Sequence, residues 1–152
     1  MRLLIQRVKE ASVRVNDSTI GSIRKGLLAF VGISRIDATL DADYLLDKLF
    51  GLRVFPDDEG KMNRNVHQAG GAVLLVSQFT LYADCRHGRR PSFDNAAPAG
   101  QAVALYNYFV ESARRGPVLV ETGLFQAQMD VALINDGPVT ILLESETRSG
   151  RN

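Results

Sequence analysis

Eight successive residues, Gly26-Leu27-Leu28-Ala29-Phe30-Val31-Gly32-Ile33, carry no charged or hydrogen-bonding side chain. A strand with one face in water alternates apolar and polar residues, so this unbroken run reads as a strand buried on both faces. Ala72 to Val76 reads the same way and continues into Ser77-Gln78-Phe79-Thr80-Leu81. Leu3 to Val15 reads as a long strand, with Val13 and Val15 flanking Arg14. Asn16-Asp17-Ser18 then turns the chain back into a partner strand over Thr19 to Ile23.

Two stretches carry the helical period. Asp37 or Thr39 is placed to cap a helix bearing Tyr44, Leu45, Leu49 and Phe50 that stops near Gly51. After Pro98, the residues Ala102, Leu105, Tyr106, Phe109, Val110 and Ala113 form one apolar stripe, closed by Arg114, Arg115 and a C-capping Gly116. An acidic loop, Pro56-Asp57-Asp58-Glu59-Gly60, lies between the helix and the second apolar run. Strand character resumes at Val118 to Val120. Phe125, Ala127, Met129, Val131 and Leu133 then alternate with polar residues as a half-buried strand, and Val139 to Leu143 reads as another. Between those two, Asn135-Asp136-Gly137-Pro138 predicts a hairpin tip. The proline there removes one backbone donor, and a cis bond before it costs only about 0.5–1 kcal/mol. A Gly-Pro pair of this kind can aim two neighbouring carbonyl oxygens the same way.

No repeat or linker interrupts the chain. The expectation is one α+β domain over residues 1–152, with a β-sheet or barrel-rich core and two main helices, and with a polar, frayed tail from Ser145 to Asn152. A formal net charge of +1 excludes a global basic field, so any nucleic-acid contact must be local. The single cysteine, Cys85, can make neither an internal disulfide nor a multi-cysteine metal site. Charge interrupts Met1-Arg2-Leu3-Leu4-Ile5-Gln6-Arg7 too early for a signal segment, and no apolar run is long enough to span a membrane. These features together predict a cytoplasmic protein.

The candidate chemistry is concentrated in one region. Ser77, Thr80, Asp84, Cys85 and His87 invite comparison with a catalytic triad, but neighbours on a strand point to opposite faces and no G-x-S-x-G elbow is present. His67 reads as a structural or surface residue, and two histidines make a metal site improbable. Ser77-Gln78-Phe79-Thr80 closes a buried strand. It reads either as a terminus satisfying its own polar groups or as a set of fixed donors around an ester oxygen. Arg86-His87-Gly88-Arg89-Arg90 is the only dense basic cluster, ordinarily a solvated loop and alternatively a grip for phosphates. Phe79, Phe93 and Phe125 offer rings for a base, although the usual place for such rings is the core.

Taken together, Ile5-Gln6-Arg7-Val8, Gly60-Lys61-Met62-Asn63, Ser77-Gln78-Phe79-Thr80-Leu81, Arg90-Pro91-Ser92-Phe93 and Asn135-Asp136-Gly137-Pro138-Val139-Thr140 resemble the D-aminoacyl-tRNA deacylases, in the same order and over Met1 to Leu143. The resemblance implies hydrolysis of the ester joining a D-amino acid to the terminal adenosine of tRNA, with neither metal nor cofactor. It implies a homodimer in which Gly137 and Pro138 enter the partner's site. There they would hold the substrate's α-amino group with parallel carbonyls and exclude an L side chain by clash. Arg7 would orient that motif. Ser77, Gln78, Phe79 and Thr80 would line the pocket and supply oxyanion donors, while Phe125 and Met129 would lie near the adenosine. Arg86 and Arg89 lie in a loop expected to vary within the family, so a grip of Arg86, Arg89 and Arg90 on tRNA phosphates rests on the residues themselves and not on the resemblance. The terminal 2′-hydroxyl of the tRNA would assist the chemistry; Thr80 has no base beside it in the sequence. Achiral glycine would pass the same filter, which brings glycine mischarged on tRNA(Ala) within reach. Two rivals remain: a non-catalytic RNA-binding module built on Arg86, Arg89 and Arg90, and an unrelated esterase using Ser77 or Thr80.

Overall fold

The structure, a computed structural model, describes residues 1–145. Its elements are β1 (Arg2–Val15), β2 (Ser18–Ile23), β3 (Gly26–Gly32), α1 (Thr39–Gly51), β4 (Phe55–Pro56), β5 (Met62–Arg64) and β6 (Ala72–Ser77). A single 3-10 turn, Phe79–Tyr82, follows, and then α2 (Ala99–Arg114), β7 (Val120–Thr122) and β8 (Asp130–Glu144). The main sheet runs β2-β1-β3-β6-β7, and β8 pairs with the other edge of β1. Strands β3 and β6 are parallel, from Gly26↔Ala72 to Val31↔Ser77, and α1 lies in the connection between them.

The apolar run of β3 is explained by what covers it. Leu27, Ala29 and Val31 point to the side of the two helices, where Leu45, Leu49, Phe109 and Val110 meet them. Leu28, one residue out of phase, faces the opposite side with Leu74 and Val76 of β6, and the far half of β1 closes over them through Val8, Ala11 and Val13. Fully burying a side chain such as Leu27 or Leu74 contributes about 1.5–3 kcal/mol. The sheet therefore curls into a nearly closed barrel with both helices on one outer face, the α+β architecture expected. No helix among the described residues is long and apolar enough to cross a membrane.

The β1–β2 turn forms at Asn16 and Asp17, whose φ values of 47° and 64° suit a two-residue hairpin loop. Elsewhere the expected local signals are displaced. Neither Asp37 nor Thr39 caps α1. The N-cap is Ala38, whose amide donates to the Asp41 carboxylate (2.9 Å). Asp37 is turned inward instead, to the Met1 ammonium (2.5 Å) and the Ser34 amide (2.6 Å). The polar run after β6 leaves the sheet at Ser77, and Val118–Val120 shifts to Val120–Thr122. The acidic loop is the tip of the small β4–β5 ribbon. The expected tail lies outside the described residues except for Ser145, which is buried and donates its amide to the Met1 carbonyl (3.0 Å).

The largest correction concerns the predicted hairpin at Asn135–Pro138. No hairpin forms: β8 is one antiparallel partner of β1, from Arg2↔Glu144 to Arg14↔Asp130. The 14-residue β1 offers both segments a longer ladder than they could offer each other. The strand expected from Phe125 begins only at Asp130, because Gln126 takes a φ of 61° and breaks the alternation. Between the pairs Gln6↔Thr140 and Val8↔Asn135, residues 136–139 stand opposite Arg7 alone. Gly137 and Pro138 thus occupy a four-residue excursion from an edge strand, where a missing amide costs no ladder bond.

Candidate active site

Strands β3 and β6 end side by side at Val31↔Ser77. The Gln78 amide still donates to the Val31 carbonyl (2.8 Å), after which the chain turns away into the 3-10 turn. A cavity of about 550 Å³ opens at this point. Its walls include Ser77, Gln78 and Phe79 from the strand end and Phe125, Gln126 and Met129 from the segment after β7. Because the Gln78 amide is engaged, the backbone donors left at the strand end are those of Phe79 and Thr80, which begin the turn and have no partner within it. Thr80 is exposed and does not line the cavity. Its hydroxyl accepts a hydrogen bond from the Gln78 side-chain amide.

The opposite wall is braced from behind. Phe125 packs on the buried Tyr106 ring with centroids 5.6 Å apart. The Tyr106 hydroxyl donates to the Leu75 carbonyl (3.1 Å), which also takes the Gly123 amide (2.9 Å). Met129 folds back over Gly123, where an added Cβ would lie 2.7 Å from the sulfur, and that sulfur accepts the Leu124 amide at 3.4 Å. Tyr106, Gly123 and Gln126 carry no sequence signal of a site. Tyr106 belonged to an ordinary apolar stripe, and nothing local marks Gly123 as a seat for methionine. Burial pushes the Tyr106 phenol up to about 12. A raised acid contributes stability that is complete below the unfolded value of about 10 and is lost as pH rises through about 12. Tyr106→Phe is therefore expected to cost about 1 kcal/mol at pH 8 and to weaken the further loss of stability between pH 10 and 12, read by urea unfolding.

Arg7, Gly137 and Pro138 sit elsewhere in the chain. Arg7 pairs with Leu27, four residues along β3 from Val31, which places it about 13 Å from the cavity wall. Neither Arg7, Gly137 nor Pro138 lines the cavity. The Arg7 guanidinium donates through Nε to the Asp136 carbonyl (2.8 Å) and through Nη1 to the Val54 carbonyl. Asn135 closes the excursion like a missing peptide pair, accepting from the Val139 amide (2.8 Å) and donating to the Val139 carbonyl (3.2 Å). The Gly137–Pro138 bond is cis, and both residues are exposed.

Of the basic cluster, Arg86 borders a second cavity beyond the 3-10 turn, while Arg89 and Arg90 are exposed and line neither of the two. Arg86 is clamped to Asp84 (2.5 Å), whose carboxyl it holds down at about 2. That grip, together with the exposure of Cys85 and His87, leaves no Asp-His-Cys relay. His67 is exposed in a turn. Phe93 stands edge-on to Phe79 with centroids 4.9 Å apart at the rim of the first cavity.

A family model described as D-Tyr-tRNA(Tyr) deacylase matches residues 4–144. The D-aminoacyl-tRNA deacylase of Solibacter usitatus (strain Ellin6076) is 63% identical over 149 residues, covering 98% of this chain and 99% of that protein. The enzyme of the same name from Thermotoga petrophila is 55% identical over 145 residues, covering 95% and 97%. Among solved structures, the c-Myc DNA Unwinding Element Binding Protein superposes with a TM-score of 0.90 at 40% identity, covering 95% of this chain and 98% of that one. A probable eukaryotic D-amino acid tRNA deacylase superposes with a TM-score of 0.79 at 17% identity, covering 94% and 98%, a likeness of fold.

Proposed function

The chain belongs to the D-Tyr-tRNA(Tyr) deacylase family, and from that premise we propose how it cleaves the ester of D-aminoacyl-tRNA and how it rejects the L form. The observation that carries the reading is the cavity joining Ser77, Gln78 and Phe79 to Phe125 and Met129. Phe125 and Met129 seat the terminal adenosine, and the strand end faces the ester. Water adds to the ester carbonyl, the Phe79 amide holds the oxygen that becomes negative, and the carbon–oxygen bond to the ribose breaks. D-amino acid and tRNA with a free terminal hydroxyl leave. The neighbouring 2′-hydroxyl of the tRNA moves the proton, so the protein's contribution is placement and oxyanion stabilisation.

Chirality is judged by Gly137 and Pro138 of a second subunit. Within one chain this pair stands apart from the cavity, yet it is exposed and braced by Arg7 and Asn135, as a part built to enter another protomer would be. The free edge of β8, with Ile134 half exposed (50%) and Leu142 likewise (52%), suits a two-fold contact. A backbone filter rejects an L side chain by clash without reading which side chain it is, so many D-amino acids are accepted. Glycine carries nothing to clash, and mischarged glycyl-tRNA(Ala) is also cleared. A single cysteine and a substrate made by translation suit work in the cytoplasm.

Matched D- and L-tyrosyl-tRNA test the reading. Rapid release of D-tyrosine with the L ester spared is expected; equal rates would remove the filter, and hydrolysis of neither would favour a binding module. In the same assay Thr80→Ala should retain activity to within about tenfold, because Thr80 lies outside the cavity and its hydroxyl takes no part in the step. Complete loss of turnover with binding preserved would instead make Thr80 the nucleophile.

A further inference from the structure

The second cavity, of about 770 Å³, lies next to the first and shares two walls with it. One shared wall is a ribbon in which the Ala97 amide donates to the Ile33 carbonyl (2.9 Å) and the Arg35 amide to the Asn95 carbonyl (3.2 Å). Ile33 and Ala97 face the first cavity, while Ser34, Arg35 and Asn95 face the second. The other shared wall is the 3-10 turn, with Phe79 on one side and Tyr82 on the other.

Three arginines from separate segments converge on this second cavity: Arg2 from β1, Arg35 after β3, and Arg86. Arg2 is held over the Tyr82 ring (4.5 Å) and donates to the Leu81 carbonyl (2.9 Å), with Glu144 as its ion partner (2.6 Å). Asp84 offsets Arg86. The Arg35 side chain makes no hydrogen bond or ion pair among the described residues and is exposed. A further sign comes from Ser34, 3% exposed on the same wall, whose hydroxyl has no hydrogen-bond partner among the described residues. A buried hydroxyl in that state is suited to an incoming acceptor. With Arg2 and Arg86 each partnered by a carboxylate, Arg35 is the arginine of this wall left uncompensated among the described residues.

The geometry points to this cavity as the channel for the tRNA's single-stranded 3′ end, with Arg35, Arg2 and the Ser34 hydroxyl receiving the phosphates that immediately precede the terminal adenosine. The assignment rests on the reading that the first cavity holds that adenosine. For a strand whose last nucleoside sits there, the cavity across the shared walls is the adjoining space, and guanidinium forks match phosphate oxygens in pairs. Such contacts track the backbone without reading sequence, as a deacylase serving many tRNAs requires.

Arg35→Ala and Arg35→Glu test the channel. D-tyrosyl-tRNA is compared with D-tyrosyl-adenosine, which carries the ester and no phosphate. The ratio of kcat/KM between the two substrates should fall about fivefold for alanine and about tenfold or more for glutamate, mostly through KM. The salt slope on tRNA should flatten by about 0.7. An equal loss on both substrates, or no loss on tRNA, overturns the assignment. Binding of uncharged tRNA, followed by fluorescence anisotropy, tests it without hydrolysis. Arg35→Glu should weaken intact tRNA and leave unchanged the binding of tRNA trimmed of its single-stranded 3′ end. Equal weakening of both overturns it as well. A wild-type enzyme inactive on D-tyrosyl-tRNA but showing that binding difference would break the deacylase reading and leave the channel standing.

Discussion

Replacing Gly137 by alanine is expected to lower D-tyrosyl-tRNA deacylation by about a hundredfold while the protein still folds. Gly137 has a φ of 151°, a region that L side chains rarely adopt. An added Cβ would stand 2.8 Å from the Val139 amide nitrogen and from Val139 Cγ2, and 3.3 Å from Arg7 Nη2. The first contact is with backbone, so the excursion has to move. Strain of this kind costs about 1–3 kcal/mol, which for a chain of this size lowers Tm by no more than about 10 °C. Activity suffers far more, because a filter displaced by about 1 Å no longer matches the α-amino group it orients. Unchanged turnover with an unchanged preference for the D ester would separate Gly137 from chiral selection.

Arg7 carries the second large effect. Its guanidinium ties the Asp136 carbonyl to the Val54 carbonyl, joining the β8 excursion to the segment before β4. The side chain is 12% exposed and its carboxylate contact, Asp136, is 35% exposed at 3.5 Å, so the buried hydrogen bonds outweigh the ion pair. Arg7→Ala leaves two carbonyls without their charged donor and should cost about 2 kcal/mol of stability together with about a hundredfold in kcat/KM. Arg7→Lys separates charge from geometry. An ammonium can satisfy one carbonyl but cannot hold both as a planar fork does. The lysine variant should recover part of the Tm and little of the activity, and full recovery of turnover would show that only the charge is needed.

The legibility of the fold differs between elements for physical reasons. β3 and β6 were readable because burial on both faces leaves an unbroken apolar run, and α2 because one buried face leaves an apolar stripe at helical spacing. The cap of α1 was misplaced because Asp37, the obvious candidate, is drawn to the chain's own amino terminus 36 residues away. Apolar alternation predicts a strand from Phe125, but Phe125, Gln126, Ala127 and Met129 form the cavity wall instead. Phe125 finds Tyr106 and Met129 finds Gly123, contacts that no local spacing encodes.

The motif residues divide in the same way. Ser77-Gln78-Phe79-Thr80 and Asn135-Asp136-Gly137-Pro138 were visible as unusual ends to apolar segments. Their chemistry was not, since Asn135 looked like turn composition until it was found closing the four-residue excursion.

By itself the sequence determined which faces are apolar, where the chain must turn, and which backbone positions demand glycine or proline, because these follow from side-chain period and local sterics. Only the tertiary structure decided that the segments on either side of Gly137 pair with β1 and not with each other. A hydrogen-bond ladder goes to whichever long edge is free, and β1 supplies one running from Arg2 to Arg14. That choice converts the expected hairpin tip into an exposed, braced excursion that takes no part in lining the cavity of its own chain.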